Sequence, residues 1–136
     1  MTISPEARIH PSAIVEDGAI GQDGDFQPFQ SHPPLEGDDL LQGNQGADIL
    51  AGGNGADTIY GGQDGDTIDA GLGANFVNGN RGDDSVTGGA EAETLLGGRD
   101  NDTVTGGGGA DFINGNLGND VLTGGSSADT MFGEDG

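Results

Sequence analysis

From Gly43 to Phe132 the chain repeats every nine residues, ten times without a slip, and no other property restricts its fold so tightly. The units are GNQGADILA, GGNGADTIY, GGQDGDTID, AGLGANFVN, GNRGDDSVT, GGAEAETLL, GGRDNDTVT, GGGGADFIN, GNLGNDVLT and GGSSADTMF. Their first position is Gly except at Ala70, and their eighth is always apolar, from Leu50, Ile59 and Ile68 to Leu122 and Met131. Glycines at the front of a unit permit positive φ and a close backbone approach, which marks a turn. The x-U-x run behind them sends one apolar side chain inward and its two neighbours outward, which marks a short strand. A three-residue strand buries almost nothing alone, so the units must stack to share a core.

The sixth position carries the chemistry. It is Asp at Asp48, Asp57, Asp66, Asp84, Asp102, Asp111, Asp120 and Asp129, with Asn75 and Glu93 in the other two units. Stacking places these groups in rows at about the 4.8 Å spacing of adjacent strands, where ionised carboxylates repel unless a cation lies between them. Hard oxygen donors, with no Cys in the chain and no His in the array, select calcium over zinc or copper.

In these columns the chain resembles the RTX family of secreted calcium-binding proteins, whose repeat is GGxGxDxUx. The resemblance covers the ten units, a degenerate unit before them (PLEGDDLLQ, with its acid at Asp39) and the fragment GEDG after them. It implies an all-β fold, a right-handed parallel β-roll with two units per eighteen-residue coil. It also implies calcium held between turns stacked on one edge. The expected ligands are Asp39, Asp48, Asp57, Asp66, Asn75, Asp84, Glu93, Asp102, Asp111, Asp120 and Asp129, with the turn glycines Gly43, Gly52, Gly61, Gly79, Gly88, Gly97, Gly106, Gly115 and Gly124.

Odd-numbered units then share one edge and even-numbered units the other, giving four inter-turn gaps on each and a further one at Asp39. Eight or nine ions are expected. The odd column, Asp48 to Asp120, is unbroken, whereas Asn75 and Glu93 are neighbours on the even edge, so the gap between them should be the weakest site. Asp64, Glu91 and Asp100 replace the fourth-position glycine and read equally well as auxiliary ligands or surface acids.

Composition supports a cation-dependent fold. Only 31% of the 136 residues are hydrophobic, and the formal net charge is -21, with three basic residues against 24 acids. Such a chain would be disordered without its periodicity. Its charge excludes nucleic acid and anionic membrane surfaces as partners, and no stretch is long and apolar enough to insert in a bilayer. Eight or nine divalent ions would leave a charge of about -3 to -5, normal for a soluble small domain. Calcium dependence points outside the cell, where calcium-binding modules have affinities of about 10⁻⁴ to 10⁻³ M. The beginning, MTISPEARIHPSAIVEDG, lacks the basic-then-apolar pattern of a signal peptide. The family resemblance implies type I secretion, whose signal is not visible in this chain.

Residues 1–33 form a separate N-terminal segment, followed by the β-roll at 34–136. Within it IHPSAIVEDGAIGQDGDFQPFQS, Ile9 to Ser31, has apolar or small residues near every sixth position and resembles the first coils of the hexapeptide-repeat UDP-N-acetylglucosamine acyltransferases. The resemblance stops before the coils that carry that family's catalytic His. His10 reads as part of a cap turn, and His32, beside Pro33 and Pro34, as part of a linker.

Gly-Asn openings at Gly43, Gly79 and Gly115, acids at Asp64 and Asp100, and Phe at Phe76 and Phe112 each recur after 36 residues, two coils. On the odd strands the outward residues are mainly Thr, Ser and Asp. On the even strands they place Leu40, Tyr60, Phe76, Leu96, Phe112 and Phe132 in a zigzag, an apolar strip suited to self-association. Arg81-Gly82-Asp83 spells the integrin-binding tripeptide but fills ordinary repeat positions. No nucleophile–base pair, phosphate loop or carboxylate dyad stands apart from the repeat, so the chain reads as a non-catalytic calcium-binding module with a structural, adhesive or self-assembling role. Two alternatives differ in class: an accessory C-terminal part of a larger secreted enzyme or toxin, and an acyltransferase-like hexapeptide protein.

Overall fold

The computed structural model describes residues 37–136 and the backbone of one further strand, Ile14–Glu16. All regular structure in these residues is β. The strands are β1 (Ile14–Glu16), β2 (Leu40–Gln45), β3 (Ile49–Ala51), β4 (Thr58–Gln63), β5 (Thr67–Asp69), β6 (Phe76–Arg81), β7 (Ser85–Thr87), β8 (Thr94–Arg99), β9 (Thr103–Gly107), β10 (Phe112–Leu117), β11 (Val121–Gly125) and β12 (Thr130–Phe132).

They alternate between two parallel sheets. One has seven strands in the order β1-β2-β4-β6-β8-β10-β12, the other five in the order β11-β9-β7-β5-β3. Ile59 stands opposite Val77 and Val77 opposite Leu95, while Ile68 stands opposite Val86 and Val86 opposite Val104. Each partner lies eighteen residues on, so two units make one coil, and the fold is the parallel β-roll the repeat implies. Only β1 departs from this register: Ile14 pairs with Leu40 at the edge of the larger sheet. His10, His32 and the rest of the N-terminal segment lie outside the described residues.

The eighth position builds the core. Leu41, Leu50, Ile59, Ile68, Val77, Val86, Leu95, Val104 and Ile113 are buried in one continuous cluster, with Leu122 packed against it. One side chain per strand makes a thin core, roughly 1.5 to 3 kcal/mol for each buried aliphatic group, so the turns must add to the stability. At β12, which pairs with β10 on one side, the inward residue Met131 is 49% exposed.

Five strands of the larger sheet, β2, β4, β6, β8 and β10, run to six residues. From β2 to β10 they continue into the glycines of the following unit, with Asn44 opposite Gly62, Gly62 opposite Asn80 and Asn80 opposite Gly98. Asn44, Gly62, Asn80, Gly98 and Asn116 all take positive φ, between 69° and 118°. Gly and Asn are the residues that adopt this region most readily. The turn backbone thereby keeps its amides along the stack, and the ladder carries on through it.

The apolar zigzag is present and partly covers itself. Tyr60 and Phe76 pack with ring centroids 6.0 Å apart, and Phe112 and Phe132 at 5.7 Å. Tyr60, Phe76 and Leu96 are half-buried, whereas Phe112 and Phe132 are 38% and 47% exposed. The bare part of the strip therefore lies toward β12.

Candidate metal centre

Strand and turn geometry carry the sixth-position side chains inside the roll. Asp39, Asp57, Asp66, Asn75, Asp84, Glu93, Asp102 and Asp111 are each at most 3% exposed, and Asp48, Asp120 and Asp129 are half-buried. The first-position residues Gly43, Gly52, Gly61, Gly79, Gly88, Gly97, Gly106, Gly115 and Gly124 lie buried beside them. Buried carboxylates are costly unless they are paired or hold a metal, so what their oxygens face decides what the columns can do.

Most of them bond through one side-chain oxygen to the coil before. On the odd edge Asp66, Asp84, Asp102 and Asp120 accept through Oδ1 from the N–H groups of Asp48, Asp66, Asp84 and Asp102, at 2.8 to 2.9 Å. On the even edge Asp57 and Asn75 accept from Asp39 and Asp57, then Asp111 and Asp129 from Glu93 and Asp111. A single step is missing, between Asn75 and Glu93. Glu93 turns its Oε2 instead to the N–H of Gly89 in its own unit, at 3.1 Å.

In the aspartates the second oxygen faces the opening glycine of its own unit. Oδ2 of Asp57, Asp84, Asp102, Asp111 and Asp120 is buried with no hydrogen-bond partner, whereas in Glu93 the oxygen that faces Gly88 is Oε2, already bonded to the Gly89 N–H. A Cβ added to Gly79 would overlap Asp84 Oδ2 and lie 2.6 Å from the carbonyl oxygen of Gly97. One added to Gly106 would overlap Asp111 Oδ2 and lie 2.6 Å from the carbonyl oxygen of Gly124. Two acceptors and no donor thus converge on one small space, an arrangement that a cation relieves. Carboxylate and carbonyl oxygens together are the donor set of calcium. Among the described residues no three His, Cys, Asp or Glu side chains cluster to hold a metal, so main-chain oxygens must complete each ligand shell.

The titration behaviour agrees. Burial pushes the Asp84 carboxyl up to about 7, against the opposing pull of the Asp66 N–H, and the carboxylates of Asp102, Asp66 and Asp83 push the same way. Burial likewise moves Asp57 and Asp102 to about 6. It raises Asp39, and it raises Glu93, where Asp111 adds to the effect. Without a counter-cation, ionisation of these buried groups is disfavoured relative to a free carboxylate; a bound cation reverses that preference.

One unit is built differently. Its first residue is Ala70, fully buried, so a methyl occupies the space that the glycines leave open. Its sixth residue, Asn75, accepts the Asp57 N–H through Oδ1 at 2.8 Å and donates Nδ2–H to the carbonyl of Ala70 at 3.1 Å. The two bonds fix the orientation of the amide. Its N–H thus serves the Ala70 carbonyl, which also lies close to Asp57 Oδ2 under Gly52. Ala70 and Asn75 were legible only as separate exceptions to two columns; their shared unit was the available signal that they form one device.

The fourth-position acids are not loose on the surface. Asp64 Oδ2 accepts the Gly46 N–H, Asp100 Oδ2 the Gly82 N–H and Glu91 Oε2 the Gly73 N–H, at 3.0 to 3.1 Å, each eighteen residues earlier. They stitch successive turns. Within Arg81-Gly82-Asp83, the Gly82 N–H is used by Asp100 and Asp83 Oδ1 accepts the Asn101 N–H, so the tripeptide is part of the same stitching.

Against known families, residues 35–68, 60–92, 69–104, 87–122 and 105–136 match the family described as RTX calcium-binding nonapeptide repeat (4 copies). No curated protein and no solved structure matches the chain.

Proposed function

The chain belongs to the RTX calcium-binding nonapeptide repeat family, and from that premise we propose that residues 34–136 act as an extracellular module that folds on calcium and serves a structural, self-associating role. The β-roll is a calcium-binding structural repeat, and such repeats are typical of secreted proteins. The observation that carries the proposal is the convergence of buried carboxylate and carbonyl oxygens under the turn glycines.

The ligand-bearing residues are the sixth-position acids with the main chain around the first-position glycines. Calcium supplies the positive charge that lets these carboxylates ionise while buried. The residues of this chain supply the rest: glycines leave the space, Oδ2 faces it, and Oδ1 locks each coil to the one before. Counting Asp39, the two edges have nine gaps; with the gap between Asn75 and Glu93 set apart by the Ala70 methyl and the Asn75 amide, eight ions remain.

Self-association is proposed through the strip, at its exposed end around Phe112 and Phe132.

A calcium titration followed by far-UV circular dichroism tests the central claim. In chelator the chain is expected to lack β structure, with calcium restoring it cooperatively. Magnesium, which demands tight octahedral geometry, should restore little. A spectrum indifferent to chelator would overturn the proposal.

A further inference from the structure

Alternation along the stack creates a feature that calcium binding does not use. At the second position of the odd turns the chain carries Asn44, Gly62, Asn80, Gly98 and Asn116 in succession, register partners on neighbouring strands. Gly62 has no side chain to fill the step between Asn44 and Asn80. The result is a depression of about 370 Å³ on the outer face of the larger sheet, at the small end of the roughly 300 to 1,000 Å³ of small-molecule sites.

Its lining is unusual for this chain. It is lined by Gln42, Asn44, Gln63 and Asn80, which carry carboxamides, by the half-buried Tyr60 and by Arg81. No carboxylate lines it, in a sequence with 24 acids and three basic residues. Arg81 is the register partner of Arg99 on the next strand, so two like charges sit side by side. Neither makes an ion pair among the described residues. An arrangement of this kind is relieved by an anion. Tyr60 is held by its packing on Phe76, and Asn80 by a bond from its own N–H to Asn78 Oδ1 at 3.0 Å and one from its Nδ2 to the Asn78 carbonyl at 3.3 Å. Two of the lining residues are therefore positioned before any ligand arrives.

We propose that this depression binds an acidic sugar residue, with Arg81 on its carboxylate. A guanidinium pairs with a carboxylate through two parallel N–H···O bonds. Carboxamides can donate to and accept from neighbouring hydroxyls of a pyranose. The Tyr60 ring offers an apolar face to the C–H side of the sugar. An unbranched aliphatic anion would make no use of the carboxamides, and a neutral sugar would leave the guanidinium unused.

The two-coil period supplies an internal control. One period later the equivalents of Tyr60, Gln63 and Arg81 are Leu96, Arg99 and Leu117 around Gly98. That step has lost the ring and the rim cation of the first. It also shows that the fold accepts Tyr60→Leu and Arg81→Leu. The probe is methyl β-D-glucuronide, added to the calcium-saturated full chain at fixed free calcium and followed through backbone amide NMR shifts. The expected result is saturable shifts at Asn44, Gly62, Gln63, Asn80 and Arg81, with Gly98 and Asn116 unmoved. Methyl β-D-glucoside and the Arg81→Leu variant should each bind about tenfold more weakly or worse, the equivalent of about 1.4 kcal/mol, and Tyr60→Leu should also weaken binding. Shifts that do not saturate, that spread over the acidic turns, or that survive Arg81→Leu unchanged would overturn the assignment.

Discussion

Restoring the Ala70 unit to the pattern of its neighbours is the sharpest test of how the edges hold calcium. In the double variant Ala70→Gly/Asn75→Asp the methyl leaves the space under the turn and a carboxylate replaces the amide that now bonds the Ala70 carbonyl. Without calcium the change is unfavourable. A buried methyl is lost, about 0.8 kcal/mol, an Ala→Gly change adds roughly 0.5 to 1 kcal/mol of backbone entropy, and a new charge joins a column whose carboxyls are already raised by burial. With calcium the new site offsets this. At 10 mM free ion and a dissociation constant of about 10⁻⁴ to 10⁻³ M, binding contributes roughly 1.4 to 2.7 kcal/mol.

These opposing effects nearly cancel in absolute stability, so the slope is the better readout. One additional ion steepens the dependence of unfolding free energy on calcium by about 1.4 kcal/mol per decade of free ion. The assay is urea unfolding by circular dichroism at several buffered calcium concentrations, with stoichiometry from equilibrium dialysis. Asn75→Asp alone should add no slope, because the Ala70 methyl still fills the place that Oδ2 needs, and should lower stability by roughly 1 to 3 kcal/mol through the lost hydrogen bond and the buried charge. The two sites should therefore be strongly non-additive. If the single variant gains an ion, or the double variant leaves the slope unchanged, the steric account of this gap is wrong.

Two further outcomes are expected. Because burial raises the folded-state pKa of Asp57, Asp84 and Asp102 above the ordinary 3.8, their favourable contribution is complete below about pH 4 and is lost as pH rises through about 6 to 7; the calcium-free chain should gain β structure between pH 8 and pH 5, and a chelated sample less ordered at pH 5 than at pH 8 would contradict this. Sedimentation velocity in calcium should show a concentration-dependent oligomer that Phe112→Thr with Phe132→Thr disperses, and an unchanged profile would remove the strip as the contact.

What could be read from the sequence, and what could not, follows from where each constraint acts. The stacking of the units and their shared core were legible because period, glycine turn and inward apolar residue repeat ten times, so a local pattern at Ile59 or Val86 is enforced by every neighbour; the roll and its eighteen-residue coil followed from the family resemblance that those columns carry. The buried carboxylate columns were legible for the same reason. Contacts that join one residue to a particular partner in the next coil were not. Asp64 and Asp100 looked interchangeable with surface acids, and only the stacked geometry shows each closing a bond to a glycine amide one coil away. The aromatic zigzag was legible as a line, but the tilt that lets Tyr60 cover Phe76 depends on side-chain torsions that spacing does not encode. Ala70 and Asn75 fall between these cases. Each breaks a column by one conservative step, and taken singly each reads as drift. A Cβ under the turn and a donor in place of an acceptor nevertheless fall in the same unit, one out of ten, where a buried methyl and the Asn75–Ala70 bond stand in for the open space and free oxygen of the other turns; the double variant tests whether that exchange leaves the gap without an ion.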